Sequence, residues 1–433
     1  MELILLKIAV FLRPIGSLEY LDAVFEVAGV AIFLLVVVAF LMKSSIKGAM
    51  VLTPTDILIL AFAVWCASLY VIYPETPRLR ALSDLGKATI PLLSYTLVHN
   101  IIRDREDYRR LLFWIIVGFS FPTIVSAALI LAGKGVYWVS YWTGIPRWRG
   151  AYLGPHAMGH SMTLFLMTLV IYGYFLREKM RASGGLLKSH LAILLGIGSV
   201  AFFCLVMSQV RSAILGLLCF AGVLIALNNR RLLIVGTLVM SVLAVATVPY
   251  WLPWLAPEVV TMEQGKSTLE DLGSSRPKYW LHNLSLYANL PLDQQIAGAG
   301  LASRAETMYV AEDEVLDSHN DWLDLLMQTG VVGLALYLAI QLLAFKSALR
   351  LNVSDRRIFI ALLLSVNLMM FVSNSYVWRI QVGHLYFILL AFIELSSVRD
   401  ARMAPELLRP TVPPAPSSAG WQGIRRSGQW RSY

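Results

Sequence analysis

The sequence predicts an all-α polytopic membrane protein, with 11–12 transmembrane helices and one large periplasmic loop subdomain, on three observations. Hydrophobic residues fill 58% of the 433 positions and charged residues 15%, where a soluble domain carries about 45–50% and 25%. Mean hydropathy is +0.66. The apolar residues gather into runs of about 17–25, the length that crosses a ~30 Å hydrocarbon layer as a helix. Length alone would allow about three soluble domains, but this composition leaves one membrane domain and the loops it carries.

In chain order the clear spans are Val24–Met42, Thr55–Tyr73, Leu111–Leu131, His156–Leu176, Leu191–Met207, Ser212–Leu227, Leu232–Tyr250, Trp322–Phe345, Ile358–Phe371 and Val382–Leu395. Ala81–Ile102 is a further span, with Asp84 and Lys87 in its first turns. Met1–Leu12 is short and carries Glu2 and Lys7, so it is either a short first crossing or an interfacial helix. Arg13–Pro14 follows it and no small-residue cleavage site does, which argues against a removed signal peptide. The chain thus divides into N-terminal membrane helices over 1–250, a large outer loop over 251–320, C-terminal membrane helices over 321–398 and a tail over 399–433.

Basic residues in the short loops set the orientation. One side collects sixteen Lys and Arg, among them Lys43, Arg103, Arg177, Arg230, Lys346 and Arg350; the other collects eight. The richer side is cytoplasmic, and the Pro- and Ser-rich tail with its six Arg and two acids belongs there, disordered by composition. Arg425–Arg426 could touch anionic headgroups or simply be solvated. The net charge of +9 is therefore mostly topology, and no basic face interleaved with aromatics points to nucleic acid. Cys66, Cys204 and Cys219 all fall in apolar spans, without a disulfide framework or a CxxC pattern.

Two outer segments stand apart. Residues 251–320 carry ten acids and four bases with Trp and Tyr spread along them, and Pro277–Leu290 reads as an amphipathic helix. A loop of that length is usually functional or disordered, and its aromatics favour order. Lys134–Gly154 sets Tyr137, Trp138, Trp142 and Trp148 around Arg147 and Arg149. Those aromatics make either an interfacial belt or a wall on which sugar rings stack.

The outer face also gathers ionisable residues, which are costly at membrane depth and usually functional. Arg211 starts an apolar helix within Ser208-Gln-Val-Arg211, Arg276 opens Arg276-Pro-Lys-Tyr-Trp-Leu281, and His319 stands in Ser318-His-Asn-Asp-Trp-Leu. Arg211 alone could be a snorkelling anchor, and Ser318 or Asn320 could simply cap a helix. His156 and His160 share a helix face; with no obvious third ligand, acceptor hydrogen bonding or helix-end packing is preferred over zinc.

These motifs in this order resemble the O-antigen ligase and O-antigen polymerase superfamily. The resemblance rests on Arg211 at a mid-chain helix start, the long loop with Arg276-x-x-x-Trp-Leu, the Gly298-Ala-Gly300 turn, and His319-Asn followed by Gly330 and Gly333. Members attach or polymerise glycans carried on undecaprenyl diphosphate, at the periplasmic face of the bacterial inner membrane and without a metal or other cofactor. The resemblance implies His319 as general base and Arg276 and Arg211 as cations on the diphosphate, chemistry that suits an imidazole and guanidinium forks. Lys278, Arg147, Arg149, His156, Asn320 and Trp142 are the residues expected to help bind substrate, and Asp317 or Asp321 to orient the His319 ring. The partners implied are the lipid-linked glycan donor, a glycan or lipid A-core acceptor, and the bilayer. Relatives often show Pro-Asn where this chain has Gly154-Pro155-His156, which bears on the acceptor. A ligase, a polymerase and, from another class, a polysaccharide transporter or flippase are the readings carried forward; the transporter fits least, because its site would lie at the midplane among broken helices.

Overall fold

A computed structural model describes residues 2–16, 18–19, 35–40, 50–73, 78–139, 145–183, 187–229, single positions between 231 and 262, and 276–301, 303, 309–311, 314–316, 318–374, 376–377 and 379–395. Its elements are α1 (Glu2–Ile15), α2 (Pro54–Ile72), α3 (Arg78–Ile101), α4 (Arg105–Leu131), β1 (Val136–Val139), β2 (Pro146–Trp148), α5 (Pro155–Ser183), α6 (Leu187–Ser208) and α7 (Arg211–Asn228). There follow α8 (Arg276–Ala288), α9 (Leu292–Ala297), β3 (Tyr309–Ala311), β4 (Glu314–Leu316), α10 (Asp321–Arg350), α11 (Val353–Val372) and α12 (Ile380–Leu390), the last continued by a 3-10 turn at Ala391–Glu394.

The chain is an all-α polytopic membrane protein. Among the described residues α2, α4, α5, α6, α7 and α10 are long and apolar enough to cross a membrane. Their outward residues are Ile, Leu and Val, such as Leu60, Ile193 and Leu218, all more than half exposed, which only a hydrocarbon solvent favours. Most of the expected spans Val24–Met42 and Leu232–Tyr250 lie outside the described residues. The span with charges in its first turns is helix α3, where Lys87 and Asp84 pair at 2.9 Å. α1 has 14 residues, about 21 Å at 1.5 Å each, short of a crossing. It packs along α4, where Gly118 lies so close to Phe11 that an added Cβ would sit 2.4 Å from its carbonyl oxygen.

α5 and α12 form the buried middle: most of α5 is inaccessible, and Leu385 through Ile393 are all buried. Around them α4 and α6 pack on α5, α3 on α12, α7 on α11, and α2 on both α3 and α10. At one end Arg105 donates to both oxygens of Asp355 at 2.7 and 2.9 Å and to Glu178 at 2.6 Å, joining the start of α4 to α11 and α5.

Hydropathy showed one continuous helix where α10 is broken. Gly330 stands at φ 66°, ψ −172° inside it. Gly298, at φ 89° at the end of α9, lies against the break: a Cβ on Gly298 would be 2.3 Å from the Gln328 carbonyl oxygen, and one on Gly330 2.2 Å from that of Ile296. Only glycine meets both the left-handed backbone and the close approach. Ala299 N–H donates to Met327 O at 2.9 Å, and Trp65 Nε1 donates to Thr329 O at 3.0 Å, which satisfies two carbonyls beside the break. This interlock fixes the segment before α10 against the bundle.

Candidate active site

Six residues from five separate segments meet around a cavity of about 140 Å³: Arg147, His156, Gln209, Arg211, Arg276 and His319. Arg147 is carried by β2, the second strand of a short antiparallel hairpin. His156 is the second residue of α5, and Gln209 and Arg211 lie at the junction of α6 and α7. Arg276 begins the described part of α8, with Pro277 next to it as first turns allow. His319 sits two residues before α10.

The backbone is unusual at two of the six. Among the described residues the only non-glycine residues at positive φ are Gln209, at 54°, and His319, at 50°. Such a conformation costs about 1–3 kcal/mol and is kept where the surroundings enforce it. At His319 the enforcement is visible. Trp280 Nε1 of α8 donates to Ser318 O at 2.9 Å, Ser318 Oγ donates to Asp324 at 2.5 Å, and Asn320 N–H donates to Ser318 Oγ at 3.1 Å. At Gln209 the side chain donates to Pro146 O at 2.9 Å, which ties the α6–α7 junction to the hairpin.

The electrostatics all have one sign. Among the described residues three guanidinium groups and two imidazoles line the cavity, and no carboxylate does. The first turns of α5, α7 and α8 hold no acid, although a helix N-terminus carries about half a positive charge and favours anions. Arg211 and Arg276 stand at such ends, where a bound anion is favoured. Burial, and then the neighbouring charge of Arg211, push the Arg147 guanidinium below its ordinary pKa. Arg379, just before α12, is close enough to act electrostatically on His156 and His160.

Arg147 Nη2 lies 3.3 Å from His156 Nε2 and its Nε donates to Ser208 O at 3.2 Å. Arginine has no acceptor, so His156 Nε2 accepts, and the proton of that ring sits on Nδ1. The His156 ring stacks on His319, centroids 5.6 Å apart and planes 23° from parallel, and on His160 at 6.3 Å and 16°. His160 is buried, with Nε2 3.2 Å from Ser373 Oγ and 3.3 Å from Ser212 Oγ. Among the described residues no group of three or more His, Cys, Asp or Glu side chains is disposed to hold a metal ion.

The other residues singled out from sequence are placed elsewhere. Asn320 caps α10, accepting from Trp322 N at 3.0 Å and Leu323 N at 3.1 Å, and does not line the cavity. Arg149 pairs with Glu19 at 2.5 Å and holds the hairpin to that segment. Lys278 is exposed on α8. Asp321 accepts from the Tyr376 and Val377 backbone N–H groups at 2.9 and 3.4 Å, which fastens that loop to α10. Trp142 and Asp317 lie outside the described residues. Gln209 and Arg379 had no expected role. For Gln209 the available signal was its place in the short break Ser208-Gln-Val-Arg211, where three polar residues interrupt two apolar spans.

No curated protein matches the chain. Residues 194–338 match the family model described as O-antigen ligase; this stretch, about a third of the chain, contains Gln209, Arg211, Arg276 and His319, while Arg147 and His156 come from outside it. The sequence motifs and the family match thus agree on the O-antigen ligase and O-antigen polymerase superfamily.

Proposed function

We propose that this protein is a membrane glycosyltransferase of cell-surface polysaccharide synthesis, moving a glycan from undecaprenyl diphosphate to a hydroxyl of an acceptor sugar. The observation that carries the reading is the cavity in which Arg147 of β2 converges with Arg211 and Arg276 at helix starts, lined by no carboxylate among the described residues. At ~30 Å³ per water it holds roughly five waters, the scale of one diphosphate, leaving the glycan and the lipid outside it.

In the transfer the acceptor oxygen attacks the anomeric carbon of the donor sugar. The bond from that carbon to the diphosphate oxygen breaks, and the diphosphate leaves with the electron pair. His319 takes the acceptor proton, because an imidazole ionises near working pH. The three guanidinium groups meet the charge that grows on the leaving oxygen, and such fixed charge is commonly the largest catalytic contribution. A diphosphate is a weak base, so its departure needs no general acid. The family match and the positive-inside pattern support a site facing the periplasm from the bacterial inner membrane.

Ligase is the preferred form, with lipid A core as the acceptor; polymerase uses the same donor and residues. A glycan gel of a deletion strain complemented with wild-type protein separates them. Long chains stranded on undecaprenyl diphosphate beside bare lipid A core in the deletion strain support the ligase. Single repeats without long chains support the polymerase, and an unchanged profile contradicts both.

A further inference from the structure

We propose that the end of the bundle opposite the histidines and arginines binds the phosphate of an anionic phospholipid headgroup. α10 runs 30 residues from the His319 side to Arg350, and two cavities adjoin at that far end. One, of about 310 Å³, lies between the start of α2 and the last turns of α10 and is lined by Lys346, Arg350 and Glu394. The other, of about 520 Å³, shares Arg350 and adds Arg103, Leu351, Phe392 and Leu395.

The charges there are unequally satisfied. Every acid on the two walls has a partner. Asp355 holds Arg105, Glu106 holds Arg109, Arg110 and Lys179, and Asp104 caps α4. Glu394 accepts from Tyr95 OH at 2.9 Å and Thr55 Oγ1 at 3.2 Å. The side chains of Arg103, Lys346 and Arg350 have neither a hydrogen bond nor an ion pair among the described residues. Basic residues at helix C-termini are favoured by the helix dipole alone. That does not account for two hollows whose linings combine these cations with apolar side chains, Leu351, Phe392 and Leu395 in the larger, a combination that suits a phosphate joined to glycerol and the first acyl carbons. Basic pockets between membrane helices recognise anionic headgroups by this chemistry. Two adjoining cavities with Arg350 between them suit a lipid bearing two phosphates, so cardiolipin is the probe of choice.

The proposal is independent of glycan transfer and is tested by thermal unfolding of the full chain in detergent. Cardiolipin is expected to raise the melting temperature, while phosphatidylcholine and inorganic phosphate leave it unchanged. The double variant Lys346→Ala, Arg350→Ala should need about 100-fold more cardiolipin, since each of the two lost charge-assisted contacts is worth about one decade. The variant Lys346→Arg should respond as wild type. If the double variant fails to fold, Arg103→Gln is used, with bound cardiolipin counted by native mass spectrometry. An equal response of wild type and variant overturns the site, and a shift by inorganic phosphate matching that by cardiolipin overturns the lipid in favour of a free anion.

Discussion

His319 stacks on His156 at 5.6 Å while His156 takes a hydrogen bond from Arg147 at 3.3 Å, so one imidazole links the proposed base to a proposed phosphate cation. The two functions of that ring can be separated. His156→Phe keeps a stacking face and loses the acceptor, whereas His156→Gln keeps an acceptor and loses the stack. If both contacts position reacting groups, each variant should lose about 10- to 100-fold in kcat, the scale of a 1 Å misplacement. Single-turnover kinetics would check it, and wild-type rates in both would show that the ring only packs.

His319 combines a chemical role with a left-handed backbone, and asparagine tolerates that backbone as well as histidine does. His319→Asn should therefore insert and melt like wild type while kcat falls by about 10²–10⁴, the usual contribution of a general base. A melting temperature well below wild type would instead point to a structural role.

Mutual repulsion of Arg147, Arg211 and Arg276 should be relieved by a bound anion. Inorganic pyrophosphate is expected to stabilise the protein, by about 2.7 kcal/mol at a hundredfold excess over its dissociation constant. Arg276→Gln should reduce that gain and lower transfer together. Unchanged stabilisation in this variant would remove Arg276 from the anion site.

Gly298 and Gly330 occupy one another's side-chain space. Gly330→Ala should cost about 2–5 kcal/mol, from strain at positive φ and from overpacking. Gly298→Ala should cost a similar amount, and the double variant less than their sum, because both break one contact. Denaturation midpoints in detergent check this, and additive losses would show that the two glycines act separately.

Asp56 tests the contrast between structure and chemistry. Its carboxylate accepts from Thr96 Oγ1 at 2.6 Å, Thr53 N at 2.7 Å and Thr53 Oγ1 at 2.8 Å, and lies 3.2 Å from His99 Nε2. Asp56→Ala leaves those donors buried and unpaired, at about 3 kcal/mol or more. The protein that still folds should transfer glycan at the wild-type rate per molecule.

The spans were legible because hydrocarbon imposes length and apolarity on each helix separately. α2, α4 and α5 therefore follow from their own residues. The break at Gly330 was not, since it depends on α9 arriving from elsewhere in the chain. Arg147, His156, Arg211, Arg276 and His319 stood out as ionisable groups at an apolar boundary, and the structure gathers these five around one cavity. Arg149 stood out equally, but its partner Glu19 is set by the folded chain, whereas the cap that Asn320 makes on α10 is local and was among the readings its sequence offered. Gln209 was hidden because its left-handed backbone has no sequence signature outside glycine, asparagine, aspartate and histidine.

The most direct test of glycan transfer is reconstitution of the purified protein in lipid nanodiscs with an undecaprenyl diphosphate-linked glycan and an acceptor saccharide. Product and released undecaprenyl diphosphate are measured for wild type and His319→Asn. Wild type should release one diphosphate per glycosidic bond formed, and His319→Asn should form product at least about 100-fold more slowly. Equal rates in the two proteins, or no transfer by correctly folded wild type with either a lipid A-core or a lipid-linked glycan acceptor, would contradict the account.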